Sequence, residues 1–180
     1  MYIGIDLGTS GIKVILLGDN AAVIDSASAE LVVSRPQPLW SEQAPEHWWQ
    51  ALQSCMQQLA ARQSLAAVKA IGLAGQMHGA TLLDSNNQPI RPAILWNDGR
   101  SFAQCQQLQQ QVPALPQLTG NLAMPGFTAP KLLWLRQHEP EQFSRVATGV
   151  LGPDIQDTLN ISDTTLVGIA GFGGVALVLG

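Results

Sequence analysis

Residues 2–17, Tyr-Ile-Gly-Ile-Asp-Leu-Gly-Thr-Ser-Gly-Ile-Lys-Val-Ile-Leu-Leu, constrain the fold of this chain more than any other stretch. Two apolar segments, 3–8 and 12–17, flank a short polar turn of Gly8, Thr9, Ser10 and Gly11. The pattern predicts a β-hairpin with an acid, Asp6, near the end of the first strand and a base, Lys13, at the start of the second. A third apolar segment, 22–33, extends the hairpin to an antiparallel meander. Pro36 and Pro38 then break the pattern.

The rest alternates helix and strand signals. Helical spacing of Trp48, Leu52, Cys55, Met56 and Leu59 predicts a helix over Pro45–Arg62, with Pro45 and Glu46 suited to its first turn. The run 68–73, apolar apart from Lys69, reads as a buried strand, and 80–83 and 93–96 read as further strands. Helices are expected over 101–112 and 130–138, loops around 118–120 and 124–127, and a last strand over 146–151. A meander followed by alternating strands and helices predicts an α/β domain with a mixed sheet.

The chain has 180 residues, of which 46% are hydrophobic and 12% charged, enough to build a core and too apolar for disorder. Its formal net charge of -4 argues against nucleic acid or an anionic membrane as a main partner. No apolar run is long enough to span a bilayer, and the N-terminus lacks a basic leader region, so a cytoplasmic location is expected. Cys55 and Cys105 lack metal-ligand spacing and are expected to be buried thiols. Sequences of the G-x-x-x-x-G-K-[ST] and G-x-S-x-G types are absent.

Three constellations carry chemistry. In the hairpin turn, glycines let backbone N–H groups approach a phosphate, while Asp6 is placed to hold a cation beside it. The alternative is an ordinary hairpin with a surface lysine. Gln76-Met77-His78-Gly79 follows a strand, where open α/β sheets place ligands, and Gln76 and His78 offer groups suited to sugar hydroxyls. The alternative is a turn with a satisfied histidine. Trp96, Asp98 and Arg100 combine a stacking ring with directional hydrogen-bonding groups, a common grip on a polyol. The alternative is that Asn97 or Asp98 caps the next helix.

In this order the motifs resemble those of the FGGY family of carbohydrate kinases, within the sugar kinase, heat-shock and actin superfamily. The resemblance runs through Ile3-Gly-Ile-Asp-Leu-Gly-Thr-Ser-Gly11, Pro38-Leu-Trp-Ser-Glu-Gln43, Gly75–Leu83, Ala93–Arg100, Thr119-Gly-Asn121 and Met124–Trp134. It covers residues 1–151, and 152–180 form a glycine-rich tail that is either divergent or a shortened end of the same domain.

The resemblance implies an actin-like, ribonuclease-H-like domain: a mixed sheet with an antiparallel meander and flanking helices. It also implies ATP- and Mg2+-dependent transfer of phosphate to the 5-hydroxyl of D-xylulose. By resemblance Asp6 is the catalytic and metal-binding carboxylate, and Gly8, Thr9, Ser10 and Lys13 line the phosphate. Gln76, Met77, His78, Trp96, Asp98 and Arg100 line the sugar. The family's second lobe is missing from these 180 residues, and if the tail is a shortened end of the same domain, Gly174 stands where the resemblance puts the family's catalytic base. This chain alone is therefore expected to be inactive. The alternatives are a non-enzymatic sugar- or phosphate-binding module and a kinase domain for another sugar. A small-molecule sugar is the expected partner, with no nucleic acid or membrane, and a homodimer is left open.

Overall fold

The computed structural model describes residues 1–147, and these form two compact units. The first unit contains Met1–Val33 and Ala44–Met77, and the second contains Ser34–Gln43 and residues 78–147. The tail at 152–180, and most of the strand expected over 146–151, lie outside the described residues.

In the first unit, strands β1 (Tyr2–Leu7), β2 (Gly11–Leu17) and β3 (Val23–Glu30) form the predicted antiparallel meander. Alternation sets its faces. Ile3 and Ile5 of β1, with Ile12, Val14 and Leu16 of β2, point into a core closed by Ala51, Cys55 and Leu59. Those last three recur every fourth residue on helix α1 (Pro45–Arg62), whose limits are those the sequence predicts. Pro45 starts α1 where its missing N–H costs nothing. Arg62 in its last turn fastens it to β3, with Nε 3.0 Å from Asp25 and Nη2 donating to the Ser26 carbonyl at 2.9 Å. Burying a side chain such as Leu59 contributes about 1.5–3 kcal/mol.

The fourth strand of this sheet, β5 (Ala70–Gly75), runs parallel to β1, giving the order β3-β2-β1-β5. It begins two residues later than the apolar run, and it is not buried: Ile71 is 56% and Leu73 59% exposed. Ile71 and Leu73 sit in register with Ile3 and Ile5, so they continue the apolar face of the sheet. Within this unit α1 packs over β2 and β3, leaving β5 at the bare edge. Hydropathy alone does not report which strand a helix covers.

The second unit is built around a two-stranded pair, β4 (Glu42–Gln43) and β6 (Ala93–Ile94), extended by isolated bridges from Ser34, Ala80 and Leu83. The strand expected over 80–83 is reduced to those bridges. Helices α2 (Phe102–Gln111), α3 (Leu115–Thr119), α4 (Thr128–His138) and α5 (Pro140–Phe143) follow. The expected loop around 118–120 is thus partly the short helix α3, which ends at Gly120 in left-handed conformation with φ 71°. Leu82, Leu108, Leu132, Leu133, Trp134 and Leu135 form the core of this unit. Cys55 and Cys105 are buried and unpaired, as expected.

Candidate functional site

The predicted site residues divide between the units, and each set is coherent in itself. In the first unit, the inward alternation of β1 and β2 leaves Asp6 and Lys13 on the other face of the sheet, as direct register partners. Both are exposed, and among the described residues neither has an ion-pair partner. The turn is closed by the Gly8 N–H donating to the Gly11 carbonyl at 2.9 Å. Gly11 is required by close packing, because a Cβ there would lie 2.8 Å from the Ala29 carbonyl oxygen. The turn is also tied to the end of β5. Thr9 Oγ1 donates to Gln76 Oε1 at 3.1 Å, and the Gln76 N–H donates to the Leu7 carbonyl at 3.0 Å.

Beside this turn lies an open depression of about 450 Å³ lined by residues that include Asp6, Ser10, Lys13, Ser28 and Glu30. Two carboxylates face one ammonium and two hydroxyls. A bare phosphate would meet repulsion from Asp6 and Glu30, whereas a phosphate carrying a divalent cation satisfies both signs. The residues present therefore fit a magnesium–nucleotide phosphate. Met77 ends this unit with its side chain 59% exposed.

In the second unit, His78 is exposed and holds a left-handed backbone, φ 58°. Its ring leans on Phe127 with centroids 4.6 Å apart. Partial desolvation, and then the Lys131 charge, hold its imidazole below the ordinary histidine value. Trp96 is 48% exposed. Its carbonyl lies where the backbone at Gly126 comes so close that a Cβ would be 2.5 Å away.

Asp98 and Arg100 are arranged differently from Trp96. Both side chains are almost fully buried and bind each other. The Asp98 carboxylate accepts the Ser41 N–H at 2.6 Å, the Arg100 N–H at 3.0 Å, and Arg100 Nε and Nη2 at 2.9 and 2.7 Å. Arg100 also pairs with Glu42 at 2.7 Å, and its guanidinium lies 3.7 Å from the Trp40 ring centroid. Glu42 pairs with Arg91, which reaches Glu139 at 2.8 Å. Helix α2 takes Ser101 as its N-cap without a side-chain cap bond, so Asp98 serves Arg100 and Ser41 instead.

Lys131 lies within the Met124–Trp134 segment and has no role among the sequence expectations. It is fully buried, and its Nζ donates to the carbonyls of His78 and Gly126, each at 2.7 Å. Burial pulls its pKa down from the ordinary lysine value to about 7, with Asp98 opposing and Arg100 reinforcing the shift. A signal for it existed: it is the one charge in Pro130–Leu135, a run that α4 buries throughout. No helix among the described residues is long and apolar enough to cross a membrane.

Comparison with known proteins gives the family. The family model for the N-terminal domain of the FGGY family of carbohydrate kinases matches residues 1–165. Xylulose kinase of Escherichia coli (strain K12) is 58% identical over 154 residues, covering 86% of this chain and 32% of the relative. The crystal structure of a xylulose kinase from Brucella ovis superposes with a TM-score of 0.87 at 33% identity, covering 93% of this chain and 43% of that one. A ligand-bound xylulose kinase from Lactobacillus acidophilus gives a TM-score of 0.83 at 21% identity, over 94% of this chain and 41% of that one, and shows the shared fold alone. The chain spans about a third of the length of the curated relatives it matches.

Proposed function

The chain belongs to the FGGY family of carbohydrate kinases, and we propose that it is the sugar-binding N-terminal part of an enzyme that phosphorylates D-xylulose at its 5-hydroxyl. The observation that carries this reading is the pairing of exposed Asp6 and Lys13 beside the Gly8–Ser10 turn. A kinase needs an acid for the cation and a base for the phosphate within one short hairpin, and both are free of other partners among the described residues.

Mg-ATP, when bound, supplies the transferable phosphoryl group and the cation that neutralises its oxygens. Asp6 would hold the cation. The backbone and hydroxyls of Gly8, Thr9 and Ser10, with Lys13, would take the phosphate oxygens. In the first unit Gln76 and Met77, after β5, are proposed to contact the sugar; in the second unit His78 and Trp96 are, the rings by stacking and the polar groups by hydrogen bonds. Asp98 and Arg100 are proposed to serve the sugar site as a buried ion pair.

These 180 residues span about a third of the length of the curated relatives, and binding without turnover is the behaviour proposed for this chain by itself. A cytoplasmic setting is part of this proposal. The bare edge at Ile71 and Leu73 leaves a homodimer as a proposal that light scattering decides. Calorimetric titration with D-xylulose and, separately, with Mg-ATP tests the main reading. D-xylulose binding, with no ADP release in a coupled assay, is expected. Absence of D-xylulose binding overturns it. Binding of a different sugar in preference assigns the domain to another carbohydrate kinase.

A further inference from the structure

We infer that Lys131 is a positioning residue that holds His78 in the conformation needed to meet the sugar, an inference that rests on the proposed role of His78. The backbone of His78 is left-handed, a conformation uncommon for residues with a Cβ and one that an exposed loop relaxes from unless something fixes it. Lys131 supplies the fixing group. Its ammonium is a strong donor with no acceptor capacity, and it spends two N–H groups on the carbonyls of His78 and Gly126. Thr128 Oγ1 adds a longer bond of 3.4 Å to the same His78 carbonyl.

Two loops distant in sequence are thus tied through one nitrogen. Gly126 is followed by Phe127, whose ring packs on the His78 ring, so backbone and ring are set by the same short segment. Gly126 also abuts the Trp96 carbonyl, which brings the other proposed sugar-stacking residue under the same control.

Packing does not explain the lysine. Lys131 is fully buried and, among the described residues, has no carboxylate within ion-pair distance. A methionine would fill similar volume without desolvating a charge. What the lysine nitrogen provides, and a methionine lacks, is simultaneous donation to both carbonyls.

The test compares the wild-type chain with Lys131→Met and Lys131→Gln, and reads two quantities. The first is the backbone conformation of His78 from its Cα and Cβ chemical shifts. The second is the Kd for D-xylulose by calorimetry. In Lys131→Met the His78 shifts should leave their left-handed values, and Kd should rise about tenfold or more. In Lys131→Gln, which keeps an N–H-bearing nitrogen on a shorter, uncharged side chain, both changes should be smaller. A folded Lys131→Met with unchanged His78 shifts overturns the inference, as do moved shifts with an unchanged Kd. If Lys131→Met does not fold, Lys131→Gln is judged by the same criteria. If the wild-type chain does not bind D-xylulose, the proposed function fails by itself, and the His78 shifts still decide whether Lys131 positions that residue.

Discussion

Thr9 Oγ1 donates a 3.1 Å hydrogen bond to Gln76 Oε1 and so joins the hairpin turn to the residue that follows the parallel strand. The two residues belong to separate motifs, one proposed to take phosphate and the other sugar. Their bond makes the ends of β1 and β5 one rigid rim. Thr9→Val removes the donor at nearly constant volume and should lower stability by about 1 kcal/mol in urea unfolding. It should also weaken Mg-ATP binding measured by calorimetry.

Asp6 has no structural duty among the described residues, since its carboxylate is exposed and unpaired. Asp6→Asn should therefore leave stability within about 0.5 kcal/mol of wild type. It should remove the Mg2+ dependence of nucleotide binding, which titration of ATP with and without Mg2+ reads directly.

Asp98 is the opposite case. Its carboxylate neutralises buried Arg100, and Asp98→Asn leaves that guanidinium facing an amide. The expected cost is about 3–5 kcal/mol, measured by chemical unfolding followed through tryptophan fluorescence. Unchanged stability with lost D-xylulose binding would instead make Asp98 a direct sugar ligand.

Gly126→Ala places a Cβ 2.5 Å from the Trp96 carbonyl oxygen, a distance real side chains do not tolerate. One loop must move, at a cost of about 1–3 kcal/mol. Because Trp96 is the residue displaced, its fluorescence response to D-xylulose should shrink even where the protein remains folded.

Lys131 gives a pH signature. The unfolded side chain keeps its proton to about pH 10.4, whereas the folded one releases it near 7. Between those values the unfolded state binds more protons, so stability rises with pH across that window. Asp98, Arg100 and His78 are the charged or titratable groups bearing on it. Lys131→Met should flatten the rise between pH 7 and 10.4, as read by urea midpoints across that range.

Local signals were legible before the structure. The meander, the limits of α1 and the helix over α4 follow from alternation, helical spacing and proline placement, which act over a few residues. The Asp6–Lys13 pairing was legible too, because a tight hairpin sets its own register. Burial of the apolar run at Ile71 and Leu73 was not, because it depends on which neighbour covers a strand. The strand expected over 80–83 dissolved into single bridges for the same reason: a strand needs a partner along its length.

The sequence by itself determined the family, the hairpin proposed to take phosphate and the candidates for contact with sugar, since these reside in contiguous motifs whose chemistry is carried by residue type. Only the tertiary structure decided what each side chain is free to do. Asp98 and Arg100 read as sugar ligands in sequence, and the structure adds that they bind each other, Glu42 and the Ser41 N–H. Lys131 looks like one charge on a helix, but it is buried with its nitrogen between two carbonyls. The reason is that a polar group withdrawn from water must find its partners in space, and those partners come from segments that no local pattern brings together.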